Sequence, residues 1–475
     1  MAYHLLGVDY GTTSLKGCVF DEEGREIASA GRAYELITEG ETVEFPAERY
    51  FELFEDLYSE LAAKTRIDAF AIDTQGETIV FLDKEGKPLM NAVVWLDTRA
   101  DKEAEEIAAH FGQEKIYSVT GQTETPAGYP APKILWLKRN RPDLFSRLDK
   151  AVLLEDYLLY RITGKFCAER GLYSSTLYLN VVTGGYWHEM LDFIGISEAH
   201  LPELYESGEK VGEYKGAGVY TGTLDQIAGV IGSGTVAPGR ITETTGTALA
   251  VCALSDTLPP YKEGLKVSAY YMFRGRYVLL MWAPTAGMAL EWLKKNFCAD
   301  LSFKELDEQA DKIPLGSEGL IVSPHLCGSV MPENDPALKG GVYGITLKHT
   351  RAHFARAVME AVACMIRQYA GYMDPSAQEI VSTGGGGKSA VWLKIKADVV
   401  QKKFTSLKVK ETGCLGSAAL AGLGAGVYAS AEQAASKIVS PAFSVTPSVT
   451  KEEADGLFSR YCAFERTLVS REKPL

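Results

Sequence analysis

Short apolar runs separated by polar turns open the chain, which is the pattern of strands in a small sheet. Leu5, Leu6 and Val8 precede a polar turn at residues 11–14, and a second apolar run follows it. Apolar side chains next recur at helical spacing, and two runs typical of buried strands come after them. The pattern predicts three strands in a meander, two at residues 3–21 and one at 26–34. It then predicts a helix at 48–64 and two further strands at 67–72 and 78–83. This alternation predicts an α/β layered domain.

The first polar turn has the chemistry of a phosphate site. Gly11, Thr12 and Thr13 offer backbone N–H groups and hydroxyls to one point, and fixed donors of this kind can replace the water shell of a phosphate. Asp9 precedes the turn, where a carboxylate can reach a cation or its waters, and Lys16 adds a positive charge. A β-hairpin whose polar turn binds nothing has the same pattern, so the turn alone leaves both interpretations open.

A second stretch repeats this plan in the other half of the chain. Residues 241–251 form an apolar run, a Thr-Gly-Thr turn containing Gly246 and Thr247, and another apolar run. Two such hairpins suggest a duplicated fold with a nucleotide between the halves, and the first hairpin resembles that of the actin-like ATPase superfamily. Several glycines within residues 208–222 favour an interdomain crossing there. We therefore expect an N-terminal domain at 1–218 and a C-terminal domain at 219–475.

Length and composition narrow the functional classes. A chain of 475 residues is too long for one core and suggests about two or three domains. The net charge of −13 and the lack of a basic block argue against a nucleic-acid surface. The sequence has no Cys-x-x-Cys pair, signal-peptide layout or apolar run of membrane length. We therefore expect no zinc site, no membrane partner and a location in the reducing cytoplasm.

Two polar clusters follow predicted strands, where the ligands of α/β sheets bind. Their members are Gln75, Glu77 and Thr78 in the first cluster and Trp95, Asp97 and Arg99 in the second. Carboxylates and a guanidinium can hold sugar hydroxyls through charge-assisted hydrogen bonds, and a Trp ring can cover the C–H side of a sugar. We interpret both clusters as binding a hydroxylated substrate. A surface salt bridge between Asp97 and Arg99 is the alternative.

Asp225 and a run of four glycines are the candidate catalytic and nucleotide-binding features of the second half. Asp225 stands between a short apolar strand and a helix rich in small residues, where its carboxylate would project into a cleft. The alternative is that Asp225 caps the helix. The glycines at 384–387 precede a helix, and their bare backbone can lie flat against a base or ribose. A glycine run alone is weak evidence.

Two longer motifs make a family resemblance specific. The first is Gly128-x-Pro130-x-x-Lys133-Ile134-x-Trp136-Leu137, whose prolines argue against a helix before Lys133. The second is Gly340-x-Val342-x-Gly344-Ile345, followed by His353-Phe354 and Ala357-Val358-Met359-Glu360. With the hairpins, they make the chain similar, from Leu6 to about Gly426, to the FGGY carbohydrate kinases, which phosphorylate glycerol, xylulose, gluconate and related polyols. The resemblance implies two ribonuclease-H-like (actin-like ATPase) domains with a catalytic cleft between them.

The resemblance also implies roles for individual residues. Asp225 matches the general base, Gln226 would bind a neighbouring substrate hydroxyl, and Asp9 would hold Mg²⁺ through water. ATP would be bound by four segments, namely Gly11, Thr12, Thr13 and Lys16, then Gly246 and Thr247, then Gly287 and Glu291, and then Gly384, Gly385, Gly386 and Ser389. The reaction implied is transfer of the γ-phosphate of ATP to a hydroxyl of a small sugar or polyol.

The substrate loop departs from the patterns of the best-known subfamilies. Gln75-Gly76-Glu77-Thr78 lacks the Met-His pair that resembles xylulokinases and the Arg before Glu that resembles glycerol kinases. Gly76 is expected to leave room for a substrate longer than glycerol, such as xylulose or another pentulose, or a pentitol. A glycerol kinase and a non-kinase actin-like ATPase are the alternatives. A homodimer is compatible with the sequence but is not indicated by it.

Overall fold

The computed structural model describes residues 3–332 and 334–471. In the first half, the strands are β1 (Leu5–Tyr10), β2 (Ser14–Phe20), β3 (Glu26–Ala33), β4 (Ile37–Glu39), β5 (Thr42–Phe45), β6 (Ala69–Thr74), β7 (Ile79–Leu82), β8 (Ala92–Val93), β9 (Lys150–Leu153), β10 (Cys167–Glu169), β11 (Leu179–Asn180), β12 (Gly185–Tyr186), β13 (Glu203–Tyr205), β14 (Lys210–Tyr214) and β15 (Ala217–Leu224). The helices are α1 (Ala47–Lys64), α2 (Asp101–Phe111), α3 (Gln113–Thr120), α4 (Pro130–Asn140), α5 (Pro142–Phe145), α6 (Leu154–Thr163), α7 (Arg170–Tyr173), α8 (His188–Ile194) and α9 (Asp225–Gly232).

The second half continues with strands and longer helices. The strands are β16 (Arg240–Thr245), β17 (Leu249–Ser255), β18 (Ser268–Met272), β19 (Arg276–Ala283), β20 (Ile321–Ser323), β21 (Gly341–Tyr343), β22 (Glu379–Thr383), β23 (Lys403–Leu407) and β24 (Pro441–Val445). The helices are α10 (Gly287–Phe297), α11 (Phe303–Ala310), α12 (Arg351–Met373), α13 (Ala390–Val400), α14 (Thr412–Gly424), α15 (Ala431–Ile438) and α16 (Lys451–Arg471). In the described ranges, no helix has the length and apolar character needed to cross a membrane.

Two large sheets share one core topology. The first has the strand order β14-β15-β6-β1-β2-β3, in which β1, β2 and β3 are antiparallel neighbours, β6 is parallel to β1, and β15 is parallel to β6. The second has the order β18-β19-β17-β16-β22-β23-β24, in which β16, β17 and β19 are antiparallel neighbours, β22 is parallel to β16, and β23 is parallel to β22. Strands β16 and β22 thus correspond to β1 and β6, and the expected α/β fold with two halves of one plan is confirmed.

The glycine-rich stretch at 208–222 is not the interdomain crossing that we expected. Strands β14 and β15 form an antiparallel hairpin whose turn holds Gly216 at a φ of 88°, and β15 extends the first sheet beside β6. A Cβ at Gly222 would come within 2.0 Å of the Ile72 carbonyl oxygen. These glycines therefore serve a turn and a close strand contact. The expected boundary between residues 218 and 219 falls inside β15, and we propose to place it just before β16.

Helix α4 begins at Pro130, and the expectation that it starts at Lys133 was wrong. Pro130 and Pro132 lie in its first turn, where a missing N–H removes no intrahelical hydrogen bond and the fixed φ of proline suits the helix. The first turn is buried, and Lys133 is buried with it.

Helix α14 joins the two halves through backbone contacts that only glycine permits. It lies between β23 and β24 of the second sheet in the chain but packs on β1, β6 and β15 of the first sheet and against α9. A Cβ at Gly7 would lie 1.7 Å from the Cys414 carbonyl oxygen, and a Cβ at Gly416 would lie 1.9 Å from that of Ala228. The position of α14 against the first sheet and α9 therefore depends on these bare backbones.

We predict that Gly7→Ala lowers the free energy of unfolding by about 3 kcal/mol or more, because the new methyl group forces α14 away from β1. The matched control is Gly371→Ala in α12, where an added Cβ meets nothing within 4 Å. That change should be neutral or stabilise the helix by about 0.5–1 kcal/mol. Urea unfolding of both variants provides the measurement, and equal midpoints would contradict the packing described here.

Candidate active site

Three parallel strands of the first sheet end side by side and lead into Asp225 and the first predicted sugar-binding cluster. Strands β1 and β6 pair in register, and β15 pairs with β6 up to Leu224. The backbone N–H of Gln75 donates to the Tyr10 carbonyl at 2.8 Å. The strand ends therefore bring Gly11, Gln75 and Asp225 to one edge of the sheet.

Asp225 is the first residue of α9 and does not cap it. The N-cap position belongs to Leu224, and the Oδ1 atom of Asp225 accepts a 2.6 Å hydrogen bond from the backbone N–H of Gln226. Burial, with the charges of Asp9 and Glu77, raises the pKa of Asp225 to about 7. A carboxyl group with this pKa can take up a proton near neutral pH, as a general base must.

Two further carboxyl groups lie at the same edge. Asp9 and Asp73 are partners across β1 and β6, and the Ser417 hydroxyl of α14 donates to Asp73 Oδ2 at 2.6 Å. Burial raises the pKa of Asp9, and the Lys16 charge opposes this rise. Burial and the Asp9 charge raise the pKa of Asp73 well above its ordinary value. Because a nearby positive charge favours ionised carboxylates, this pair of carboxyl groups is suited to a cation.

The donor set at this edge suits a hydrated Mg²⁺. Asp9 is only partly buried, and the Oδ1 atom of neighbouring Asp73 has no hydrogen-bond partner. Among residues 3–332 and 334–471, no group of three or more His, Cys, Asp or Glu side chains could hold a metal alone. Such a sparse set fits a cation that keeps several waters and takes other ligands from substrate phosphates.

The first predicted sugar-binding cluster lies beside Asp225 and keeps polar atoms free. The Gln75 amide, buried beside Tyr50, and the buried Thr78 hydroxyl have no hydrogen-bond partner. Burial raises the pKa of Glu77 to about 7, and a hydrogen bond from Ser175 opposes this rise. Because buried polar atoms are nearly always hydrogen-bonded, these free groups are suited to the hydroxyls of a bound substrate.

Gly76 does not leave the extra room that we expected. A Cβ at this position would lie 2.9 Å from Leu224 Cδ1 and 3.2 Å from the Ser175 hydroxyl oxygen. The space beside Gly76 is therefore filled by protein. The argument for a long substrate from the missing side chain was wrong, because it took no account of residues that are distant in sequence.

Asp97 and Arg99 of the second cluster form a buried ion pair. The Arg99 guanidinium donates to both carboxylate oxygens of Asp97, at 2.8 and 2.7 Å, and to Glu44 at 2.6 Å. The Val43 backbone N–H also donates to Asp97 Oδ2 at 2.7 Å. Asp97 and Arg99 thus form the salt bridge that was the alternative to sugar binding, but the salt bridge is buried and not on the surface. It leaves neither oxygen of Asp97 free for a substrate.

Trp95, the remaining member of the second cluster, connects to the first hairpin. It is partly exposed, and its indole N–H donates to the Thr12 hydroxyl at 3.0 Å. A Cβ at Gly128 would lie 2.1 Å from the Trp95 carbonyl oxygen, so the start of the first family motif packs directly on this residue. The indole thus reaches the predicted phosphate turn.

The second hairpin collects the predicted nucleotide segments of the C-terminal half. The backbone N–H of Gly287 donates to the Gly246 carbonyl at 2.8 Å, and that of Ala286 donates to the Thr247 carbonyl at 3.0 Å. The Gly386 N–H donates to the Thr245 carbonyl at 2.9 Å. The Thr-Gly-Thr turn, the start of α10 and the glycine run therefore form one continuous surface.

The two other predicted nucleotide residues border this surface. Glu291 is exposed one turn after Gly287 on α10. The Ser389 hydroxyl accepts a hydrogen bond from the Trp392 N–H at 3.0 Å as the N-cap of α13, and it donates to Asp307 at 2.5 Å. Ser389 therefore already has a structural role at the helix that follows the glycines.

A buried ion pair lies beneath the second hairpin and the glycine run. Lys396 and Glu243 are fully buried, and the Lys396 ammonium donates to Glu243 at 2.6 Å and to the Thr245 hydroxyl at 2.9 Å. It also donates to the Ser382 hydroxyl at 3.3 Å. One lysine thus ties together the ends of β16 and β22, from which both loops begin.

Lys16 bridges the two halves next to the glycine run. Its ammonium donates to Glu411, at the start of α14, at 2.8 Å. A cavity of about 220 Å³ lies between the halves and is lined by Lys16, Gly384, Gly385, Gly387 and Glu411, among others. The structure therefore brings Lys16 of the first hairpin and the glycine run of the second half to one cavity.

Three residues at the site were missed as functional candidates. Asp73 in β6, Lys133 in α4 and Lys396 in α13 are all buried. Lys133 was named only as a member of the first family motif. Its place in that motif, five residues after Gly128, was the available signal of a functional role. Lys396 and Asp73 carried no signal, since each looks like an ordinary polar residue of an amphipathic element.

Comparisons with known proteins agree with this architecture. The models of the N-terminal and C-terminal domains of the FGGY family of carbohydrate kinases match residues 4–237 and 244–425. A xylulose kinase of Bacillus subtilis is 27% identical, with 94% of this chain and 93% of the relative covered. A glycerol kinase of Thermococcus gammatolerans is 30% identical, with 91% of each chain covered.

Solved structures show the same fold. The crystal structure of a ligand-bound xylulose kinase from Lactobacillus acidophilus superposes with a TM-score of 0.91 over 98% of both chains, at 23% identity. At this identity the likeness concerns the fold, and the family assignment comes from the two domain models and the curated relatives. Together they establish that the chain belongs to the FGGY family of carbohydrate kinases, which are ATP-dependent phosphotransferases.

Proposed function

We propose that the chain transfers the γ-phosphate of ATP to a hydroxyl of a sugar or polyol, with Asp225 as the general base. The observation that carries the proposal is the position of Asp225, at the edge shared by the first phosphate hairpin and the free polar groups of Gln75 and Thr78. Phosphoryl transfer needs an acceptor hydroxyl aligned with the γ-phosphate and neutralisation of the developing charge. A carboxylate between the sugar loop and the phosphate turns meets the first need.

In this reaction, the Asp225 carboxylate accepts the hydroxyl proton as the sugar oxygen bonds to the γ-phosphorus and the bond to the β–γ bridging oxygen breaks. Glu77 and Gln226 would orient neighbouring hydroxyls. Amides and hydroxyls at residues 11–13 and 246–247 would hold phosphate oxygens, and Lys16 would exchange Glu411 for a phosphate. Mg²⁺, held by Asp9 through water, would neutralise charge on the β- and γ-phosphates.

The adenosine part of ATP would lie along the C-terminal half. The surface formed by residues 246–247, Gly287 and the glycine run supports this placement because it is continuous and borders the cavity that contains Lys16. We propose contacts to the nucleotide from Gly287, Glu291, Gly384, Gly385, Gly386 and Ser389. Binding to Ser389 would need its hydroxyl to keep or share its bond to Asp307.

We propose a pentulose such as xylulose as the acceptor. Curated relatives named as xylulose kinases cover about nine-tenths of the chain at 27–29% identity. Glycerol is the second candidate, since relatives named as glycerol kinases reach 30% identity. The free polar groups of Gln75 and Thr78 favour a substrate with several hydroxyls but do not by themselves distinguish the two. A non-kinase actin-like ATPase would need no such groups beside Asp225.

The substrate prediction is that ADP formation depends on an added acceptor and is fastest with a five-carbon ketose. ADP release would be measured with Mg²⁺-ATP and, separately, xylulose, ribulose, xylitol, arabinitol, gluconate and glycerol. Glycerol as the best acceptor would place the chain with the glycerol kinases. ADP formation that no acceptor accelerates would support the actin-like ATPase instead.

We predict that Asp225→Asn lowers turnover by at least about 10²-fold, the usual scale for a positioned base. The amide keeps the shape of the side chain but takes up no proton, so ADP binding should be unchanged by calorimetry. Asp192→Asn, at an exposed position of α8, is the control and should retain full turnover. Near-normal turnover of Asp225→Asn would remove this residue from the role of base.

A pH dependence follows from the raised pKa values at the site. Asp225 accepts a proton only as a carboxylate, so kcat/KM for the sugar should be level above about pH 8 and fall as the pH drops below 7. The fall should approach about tenfold per pH unit, because protonation of one base removes activity in proportion. Glu77 has a similar pKa, so the profile reports the pair. A level profile down to pH 5.5 would contradict this assignment.

A further inference from the structure

Lys133 donates its ammonium hydrogens to three backbone carbonyls at the sugar side of the cleft. Only 1% of the residue is exposed. Its Nζ atom lies 2.9 Å from the Glu77 carbonyl oxygen, 2.9 Å from that of Val94 and 3.3 Å from that of Val93. An ammonium has three N–H donors, so all of them are used within the protein and none is left for a substrate.

The three carbonyls belong to the two segments that carry the candidate sugar-binding residues. Glu77 has a φ of 63°, a left-handed conformation that costs free energy for a residue with a side chain. Val93 and Val94 immediately precede Trp95, whose indole bonds to Thr12 of the phosphate turn. One buried ammonium thus joins the loop after β6 to residues 93–95, whose Trp95 side chain contacts the phosphate turn.

An amine is needed at position 133 because three backbone carbonyls accept its hydrogen bonds. Burial lowers its pKa to about 7, while the Asp97 and Glu77 charges oppose this effect. An apolar side chain of the same length would leave the carbonyls of Glu77, Val93 and Val94 without this partner, and a buried carbonyl without a partner is costly. The Glu77 backbone would then have less to hold it in its left-handed conformation.

We propose that Lys133 is a positioning residue for the phosphoryl acceptor. By holding the Glu77 carbonyl, it aims the Glu77 carboxylate at the space beside Asp225, and it fixes this loop relative to Trp95 and the phosphate turn. The inference rests on the proposed function, because it assigns Lys133 to the sugar side of that reaction. It predicts that loss of the ammonium damages sugar binding and leaves ATP binding intact.

The test is Lys133→Met, which keeps the chain length and removes the donors. The KM for the best acceptor should rise at least about tenfold, and kcat/KM for the acceptor should fall by about 10²-fold, the effect of a misplacement near 1 Å. The KM for ATP should stay within about twofold. Lys138→Met, the same change at an exposed position of α4, should leave both KM values and kcat unchanged.

A purely structural role for Lys133 has a different signature. It would reduce the fraction of folded enzyme, lowering kcat while both KM values stay at the wild-type level, and that result would overturn the proposal. An equal rise in both KM values would overturn it as well. If Lys133→Met does not fold, Lys133→Gln, whose amide retains two N–H donors, is measured in the same way and should show a smaller rise confined to the acceptor KM.

The wild-type enzyme separates this inference from the proposed function. If the wild type phosphorylates a sugar and Lys133→Met keeps the wild-type acceptor KM, the positioning role is wrong and the proposed function stands. If no acceptor accelerates ADP formation by the wild type, the proposed function fails and the positioning role fails with it.

Discussion

The parallel pairing of β1, β6 and β15 is the constraint on which the site depends. Because the carboxyl ends of parallel strands meet at one edge, this pairing places the first phosphate turn, the Gln75–Thr78 loop and Asp225 side by side. The same pairing puts the carboxyl groups of Asp9 and Asp73 next to each other under α14. Their burial raises the pKa of both groups, so a cation at this edge would favour their ionised forms.

Each half of the fold stabilises its strand-end loops with a buried lysine. Lys133 bonds to three neutral carbonyls on the sugar side, whereas Lys396 pairs with the Glu243 carboxylate on the nucleotide side. A buried charge is costly unless it is paired and hydrogen-bonded; Lys396 is both, and Lys133 is hydrogen-bonded to three carbonyls. The two solutions differ in charge, since Lys396 is neutralised by a partner whereas Lys133 relies on carbonyl dipoles.

The sequence predicted features that depend on neighbouring residues and failed where distant residues decide. Both hairpins, the repeated plan and the α/β class follow from local apolar patterns, and the structure confirms them. Gly76 was misinterpreted because a missing side chain does not show whether Leu224 and Ser175 fill the space. The glycines at 208–222 were taken for an interdomain crossing because composition does not reveal that β15 pairs with β6. Buried lysines escaped notice since lysine is ordinarily exposed.

In the proposed reaction, the phosphate passes from ATP to the sugar in one direct transfer, with both substrates held together at the edge where Asp225 lies. The stereochemical course at phosphorus tests this most directly, with ATP whose γ-phosphate is made chiral by oxygen isotopes and the best acceptor of the wild-type enzyme. A single in-line displacement inverts the configuration at phosphorus, so inversion is expected in the sugar phosphate. Retention would mean two successive transfers through a phosphorylated residue and would contradict the role given to Asp225.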